Sequence, residues 1–467
     1  MKKALALATT LALCAMMLSS ALVRGRAAAK DEAGKEKYKA DEILIQFKPG
    51  ATAEDIVSAR NSVGALTKKQ LRKARHAAGK GELELAAIQS GLSVEDAISI
   101  IQTHPAVAFA EPNWTVHHQA TAVDTYYTNG NLWGMYGDAT SPANQFGSQA
   151  GEAWAAGHTG SSSVYVGIID EGIDYLHVDL AANIWTNPFD PVDGVDNDGN
   201  GYADDAHGWD FFQDNSEVYD GVRPSDYDTD LHGTHVAGTI GALGNGVGVV
   251  GVNWNVTMIS AKFLGPDGGS IADAVAAIDY FVDLKTRHGL NIVALNNSWG
   301  GGGYSQALHD AVIRAAKANI LFTAAAGNGN LAGIGQNNDR TQSYPSNYNT
   351  TQGTTTESAA GYDAVIAVAA LTSTGALAKY SNYGVTTVDI GAPGSGVWST
   401  SPNNTLTRLD GTSMATPHVT GGIALYASTH PGATPQQIRS AILTTGVATS
   451  SLANKTTTGR RLNVSSY

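Results

Sequence analysis

The chain has 467 residues, well beyond the roughly 100–200 of a common single domain, so two or three folded units are expected and a small cross-linked scaffold is excluded. Apolar residues make up 43% and charged residues 15%, which excludes a disordered chain, and 53 glycines point to tightly turned loops. The net charge of −13 is uneven: residues 119–467 hold 30 acidic and 13 basic groups, a balance that repels nucleic acid and anionic lipid and attracts cations.

Met1-Lys2-Lys3 followed by the apolar run Ala4–Val23 has the layout of a secretory signal peptide, read as residues 1–29 with cleavage after Ala21 or Ala29, so secretion is expected. A membrane-spanning anchor is the competing reading, but an Ala-rich run of this length is a marginal span. The single cysteine, Cys14, falls inside this segment, so the exported chain has no thiol and draws its stability from packing or ions. Glu42–Gly50 reads as a strand closed by a Pro-Gly turn, helical patterns follow at Ala53–Val63 and Val94–Thr103, and Ala106–Ala110 reads as another strand. These make a small α+β domain within residues 30–120, and the polar stretch from His117 to Thr128 reads as a linker. Residues 121–467 alternate strands at Val164–Ile169, Met258–Leu264, Ile292–Asn296, Ile320–Ala325 and Ala364–Ala370 with helices from His232, over Ile271–Arg287 and over Ser305–Ala318. That alternation predicts an α/β domain with a mostly parallel sheet and helices on both faces.

Asp170 ends the first of those strands, where parallel sheets place ligands, although alone it reads equally as a cap or turn residue. His232-Gly233-Thr234-His235 sets two histidines three apart at a helix start. The spacing is not that of the zinc proteases, and no neighbouring glutamate supplies a base, so one functional and one structural histidine is the better reading than a metal pair. Gly411-Thr412-Ser413-Met414-Ala415 precedes a Gly- and Ala-rich helix, which makes Ser413 either an N-cap or a nucleophile with small neighbours and backbone donors at hand. Ala415 stands where the α/β-hydrolase elbow needs glycine. Together Asp170, His232 and Ser413 supply orienter, base and nucleophile in the chain order of subtilisin.

On His232–Thr239 and Gly411–Pro417 the chain resembles the subtilisin-like serine proteases, and residues 43–113, closing on Glu111-Pro112-Asn113, resemble that family's inhibitor-type propeptide. The resemblance implies a ferredoxin-like propeptide over residues 30–120, which assists folding and then inhibits, and a peptidase domain over residues 121–467 that cleaves polypeptides. It gives Asn328, in Ala324–Asn328, the oxyanion role beside the Ser413 N–H. It also assigns Ser298, Trp299 and Gly300, and opposite them Gly268 and Gly269, to edge strands that hold extended substrate. A monomer is expected, with no nucleic-acid partner and no membrane contact after signal removal. Glu171 departs from the pattern, which has serine or threonine after the triad aspartate, and Thr350–Gly361 is expected to be an insertion near the primary specificity pocket. A non-catalytic module on the same fold and an esterase with the same triad are the rival readings.

Asp190–Asp230 is a further departure, with 13 acids and one base, Arg223. Asp196, Asp198, Asn200, Gly201 and Asp204 hold places 1, 3, 5, 6 and 9 of an EF-hand loop, while His207 stands in place of the closing glutamate. Structural Ca2+ on Asp196, Asp198, Asn200, Asp204 and Asp205 is expected, against the alternative of a solvated acidic loop. The family resemblance implies a second calcium site at Asp124, Asp179 and Asn245.

Overall fold

The computed structural model describes residues 38–71, 81–118, 121–122, 130–221, 230–246 and 248–467; the expected signal segment with Cys14, and Asp124, lie outside them. Two compact units, Met1–Asn113 and Trp114–Tyr467, divide the chain ahead of the residue-120 boundary read from the sequence.

In the first unit β1 (Tyr38–Phe47), α1 (Ala53–Ser62), β2 (Ala65–Gln70), β3 (Leu83–Ile88), α2 (Val94–Ile101) and β4 (Val107–His118, which runs past the division) follow one another. The sheet order β2-β3-β1-β4, with β3 antiparallel to both β1 and β2, is the ferredoxin-like arrangement. Both helices begin where a side chain accepts a first-turn N–H: Thr52 Oγ1 from Asp55 and Ser93 Oγ from Asp96, each at 3.1 Å. α2 buries Val94, Ala97 and Ile101 and packs on β1, whose Ile43, Leu44, Ile45 and Phe47 are buried. β2 and β3 are absent from the sequence reading. β2 buries only Ala65, so it carries no apolar alternation to mark it.

The second unit contains β5 (Gly160–Asp170), β6 (Gly208–Asp210), α3 (Leu231–Gly241), β7 (Asn255–Lys262), β8 (Gly268–Ser270), α4 (Ile271–His288), β9 (Ile292–Asn297) and β10 (Trp299–Gly300). Then come α5 (Gln306–Lys317), β11 (Leu321–Ala325), β12 (Val365–Leu371), β13 (Ile390–Pro393), α6 (Thr412–Thr429), β14 (Val447–Ala448) and β15 (Arg460–Arg461). Nine of the strands form one sheet, β14-β15-β13-β12-β11-β9-β5-β7-β6, parallel except at the β14–β15 pair. α6 packs on β5, β9, β11 and β12 and is buried along most of its length. β6, missing from the sequence reading, has three residues and ties the acidic insertion to the sheet edge by pairing with β7.

β5, β9 and β11 therefore end together on one side of the sheet, the side where open α/β sheets bind ligands. Asp170 is the last residue of β5, Ser298 follows β9, and Asn328 lies three residues beyond β11.

Candidate active site

β5 delivers Asp170 and the first turn of α3 delivers His232, and both side chains are almost wholly buried. His232 Nδ1 donates to Asp170 Oδ1 at 2.7 Å, and the same oxygen accepts the Glu171 N–H at 2.9 Å. With Nδ1–H committed to the carboxylate, the basic lone pair of the ring is on Nε2. α3 sits this close because residue 233 is glycine: a Cβ there would lie 2.1 Å from the Gly172 carbonyl oxygen. The second histidine, His235, meets the Val397 carbonyl at 3.0 Å, and burial pushes its pKa down to about 3, so it stays neutral and supports the helix.

α6 delivers Ser413 in its first turn and packs against α3. Ser413 Oγ donates to the Ser298 carbonyl and Ser298 Oγ to the Ser413 carbonyl, both at 2.8 Å. Asn328 Oδ1 accepts the Thr412 N–H at 2.8 Å and the Thr412 hydroxyl at 2.9 Å, which makes Nδ2 the donor end of that amide. Behind Ser298, Asn296 Nδ2 donates to Ser298 Oγ at 2.9 Å and Thr420 Oγ1 to Asn296 Oδ1 at 2.8 Å. Sequence reasoning named Asn328 and Ser298 but missed Thr412, Asn296 and Thr420. Thr412, Thr416 and Thr420 recur every fourth residue on a largely buried helix, a polar stripe that was the available signal.

β8 and β10 flank the end of β4. Thr115 pairs with Ser270, Val116 with Gly269, His117 with Gly300 and His118 with Trp299, all antiparallel, while Gly268 pairs back on Gly265. Part of the stretch read as a linker is thus paired strand. Trp299 buries its indole against Phe263, ring centroids 4.8 Å apart, so its part in the pairing is played by the backbone.

Residues 161–463 match the Subtilase family, and residues 25–113 match the fervidolysin N-terminal prodomain. The chain belongs to the subtilase family. It is a serine peptidase with an N-terminal prodomain. This subtilase is 35% identical over 297 residues to subtilisin DY of Bacillus licheniformis, covering 64% of this chain and 88% of that one. It is 30% identical over 410 residues to the thermophilic serine proteinase of Bacillus sp. (strain AK1), covering 87% and 82%. Its fold is that of fervidolysin from Fervidobacterium pennivorans, a keratinolytic enzyme related to subtilisin, with a TM-score of 0.65 at 21% identity. That match covers 94% of this subtilase and 63% of the other chain, less than two thirds of its length.

Several acids of the insertion meet protein donors. Asp196 accepts the N–H groups of Asn200 at 2.9 Å and Gly201 at 2.6 Å, and Asp190 those of Asn197 at 2.6 Å and Asp204 at 2.7 Å. Asp204 in turn accepts from Asp193 N–H at 2.8 Å. Asp198 is met by His288 Nε2 at 2.9 Å and Arg287 Nη2 at 3.3 Å, both from the end of α4. Asp205 is buried, accepts from Asn200 Nδ2 at 2.9 Å and the Tyr280 hydroxyl at 2.7 Å, and is pushed up to about 7 by burial. Among the described residues no group of three or more His, Cys, Asp or Glu is placed to hold a metal ion. In the set Asp196, Asp198, Asn200, Asp204 and Asp205, backbone N–H groups and two side chains of α4 answer part of the charge. Asp179 and Asn245 are the other expected pair. Asp179 Oδ1 accepts from Asn245 Nδ2 at 3.0 Å and Oδ2 from Val249 N–H at 3.1 Å, and a Cβ on Gly248 would lie 1.9 Å from Oδ2. A carboxylate and an amide cradled by a glycine loop suit a small hard cation. The insertion Thr350–Gly361 is fastened to α5: the Thr354 and Thr356 hydroxyls donate to Asp310, and Glu357 pairs with Lys317 at 3.0 Å.

Proposed function

We propose that this subtilase is a secreted, self-processing endopeptidase whose nucleophile is Ser413, whose base is His232 and whose orienting carboxylate is Asp170. The buried 2.7 Å contact between His232 Nδ1 and Asp170 carries this reading, because it leaves Nε2 as the basic nitrogen at the strand ends. Ser413 Oγ attacks the peptide carbonyl and its proton passes to His232 Nε2, the imidazolium being stabilised by Asp170. The oxyanion accepts from Asn328 Nδ2 and the Ser413 N–H. The intermediate collapses as His232 returns the proton to the leaving amine, and water repeats the sequence on the acyl-enzyme.

Substrate enters as an extended strand between Gly268–Gly269 and Ser298–Gly300, a reading supported by the pairing of Thr115–His118 with both edges. Residues 30–120 act as folding aid and then inhibitor, and are released by self-cleavage between Asn113 and Thr128. Secretion follows from the layout of residues 1–29. Calcium held by Asp179 and Asn245 stabilises the fold and takes no part in the chemistry.

Casein turnover and N-terminal sequencing of the secreted wild type, Ser413→Ala and His232→Ala test this. Wild type should begin beyond Asn113, and both variants should be inactive and keep the propeptide, since nucleophile and base act as one unit. Maturation of purified Ser413→Ala without added protease would exclude self-processing, and turnover of esters but not casein would favour an esterase.

A further inference from the structure

We propose that Glu171 is a positioning residue: from the end of β5 its carboxyl holds the main-chain N–H of His232 and thereby sets the imidazole against Asp170. This rests on His232 being the base. A helix leaves its first N–H groups without intrahelical acceptors, and the N-cap side chain normally accepts one of them. The N-cap of α3 is Asp230, a residue type suited to that task, yet its side chain makes no capping hydrogen bond. Asp230 is engaged elsewhere: Oδ1 accepts from Lys262 Nζ at 2.6 Å and Oδ2 from the Asp220 N–H at 2.9 Å. Glu171 Oε1 accepts the His232 N–H in its place. Two consecutive residues at one strand end thus grip the same histidine, Asp170 by the ring and Glu171 by the main chain.

The grip is stiff because it is enclosed. Glu171 is 5% exposed, and neighbouring Gly172 and Gly233 let the strand end and the helix touch backbone to backbone. The charged and titratable groups around Glu171 are Asp170 just before it, His232 on α3 with its N-cap Asp230, and Lys262 at the end of β7. Burial first, and then the charge on Asp170, hold the Glu171 carboxyl well above the usual carboxylate range. The shift favours the neutral carboxyl, whose oxygen still accepts the His232 N–H.

The test is steady-state kinetics of purified Glu171→Ala, Glu171→Asp and Glu171→Gln on a peptide anilide, with melting temperatures and pH profiles of kcat/KM. Glu171→Asp, which withdraws the acceptor by one methylene, and Glu171→Ala should each lower kcat about tenfold or more with KM nearly constant. Glu171→Gln keeps an acceptor oxygen at the same reach and should recover most of that loss, with the acid limb of its profile overlying that of wild type. If Glu171→Ala does not fold, the Asp and Gln variants decide. Wild-type kcat in Glu171→Asp would overturn the proposal, and so would an acid limb displaced by about half a pH unit or more in Glu171→Gln, which would mean that the group acts by its charge. An inactive wild type or an active Ser413→Ala would instead overturn the triad on which the proposal rests.

Discussion

Asn328 has an amide with two ends, and Thr412 occupies the oxygen end twice over, at 2.8 Å through its N–H and at 2.9 Å through its hydroxyl. The residue next to the proposed nucleophile thus aims the proposed oxyanion donor. Asn328→Ala should lower kcat by roughly 10²–10³ with KM little changed, because the lost donor meets charge that develops only in the transition state; that size is the one known for the oxyanion asparagine of subtilisin. Thr412→Val leaves the N–H contact and removes the hydroxyl, so its loss should be smaller than that of Asn328→Ala. Peptide-anilide kinetics of both variants check the pair, and an unchanged kcat in Asn328→Ala would move the oxyanion role to another group.

At the scale of elements, α3 lies directly on the turn after Asp170. Glycine to alanine inside a helix ordinarily stabilises by about 1 kcal/mol. At Gly233 the added Cβ would sit 2.1 Å from a carbonyl oxygen, so α3 has to lift away from the carboxylate that orients its histidine. Gly233→Ala should therefore lower both the melting temperature and kcat, the reverse of what helix propensity alone would give. Asp179 and Asn245 carry the calcium expectation. An ion bound only to the folded state stabilises it by about 2.7 kcal/mol at a hundredfold excess over Kd. Chelation should lower the melting temperature of wild type and of Asp196→Asn/Asp198→Asn alike, and leave Asp179→Asn almost unmoved. Calorimetry with and without calcium decides it: equal melting temperatures for wild type in both conditions would end the calcium reading.

Across the whole molecule two sets of buried groups oppose each other as pH changes. Burial pushes Asp205 up to about 7 and Asp210, Asp230 and Asp389 up to about 6, and pushes His235 down to about 3 and His418 to about 4. A carboxyl raised on folding stays protonated where the unfolded chain has ionised, so its contribution is present at low pH and lost as pH rises through the folded value. A depressed histidine works the other way: the unfolded chain takes up a proton that the folded one refuses, and stability is lost as pH falls below about 6.5. Between pH 4 and about 7 the melting temperature of Asp205→Asn relative to wild type should therefore climb with pH, while that of His235→Gln should fall. Parallel curves for all three proteins would show that neither group changes its proton binding on folding.

The residues of the candidate site were legible in the sequence because their motifs are local. Asp170 closes an apolar strand, His232 and Ser413 open helices dense in small residues, and the order of the three reads off the chain. The same holds for α2 and β1, whose periodicity names their buried faces. β2 and β6 were not legible, since a short polar strand is defined by the neighbour that completes its hydrogen bonds. Nor did spacing reveal that Asp198 meets Arg287 and His288, some 90 residues on. Glu171 stood out only as an odd residue, and its bond to His232 comes from a helix 61 positions away. Sequence alone determined the residue types and their periodicity. Tertiary structure decided which donor meets which acceptor, because a buried charge or N–H is satisfied by whatever the fold brings within about 3 Å of it, however far along the chain that partner stands.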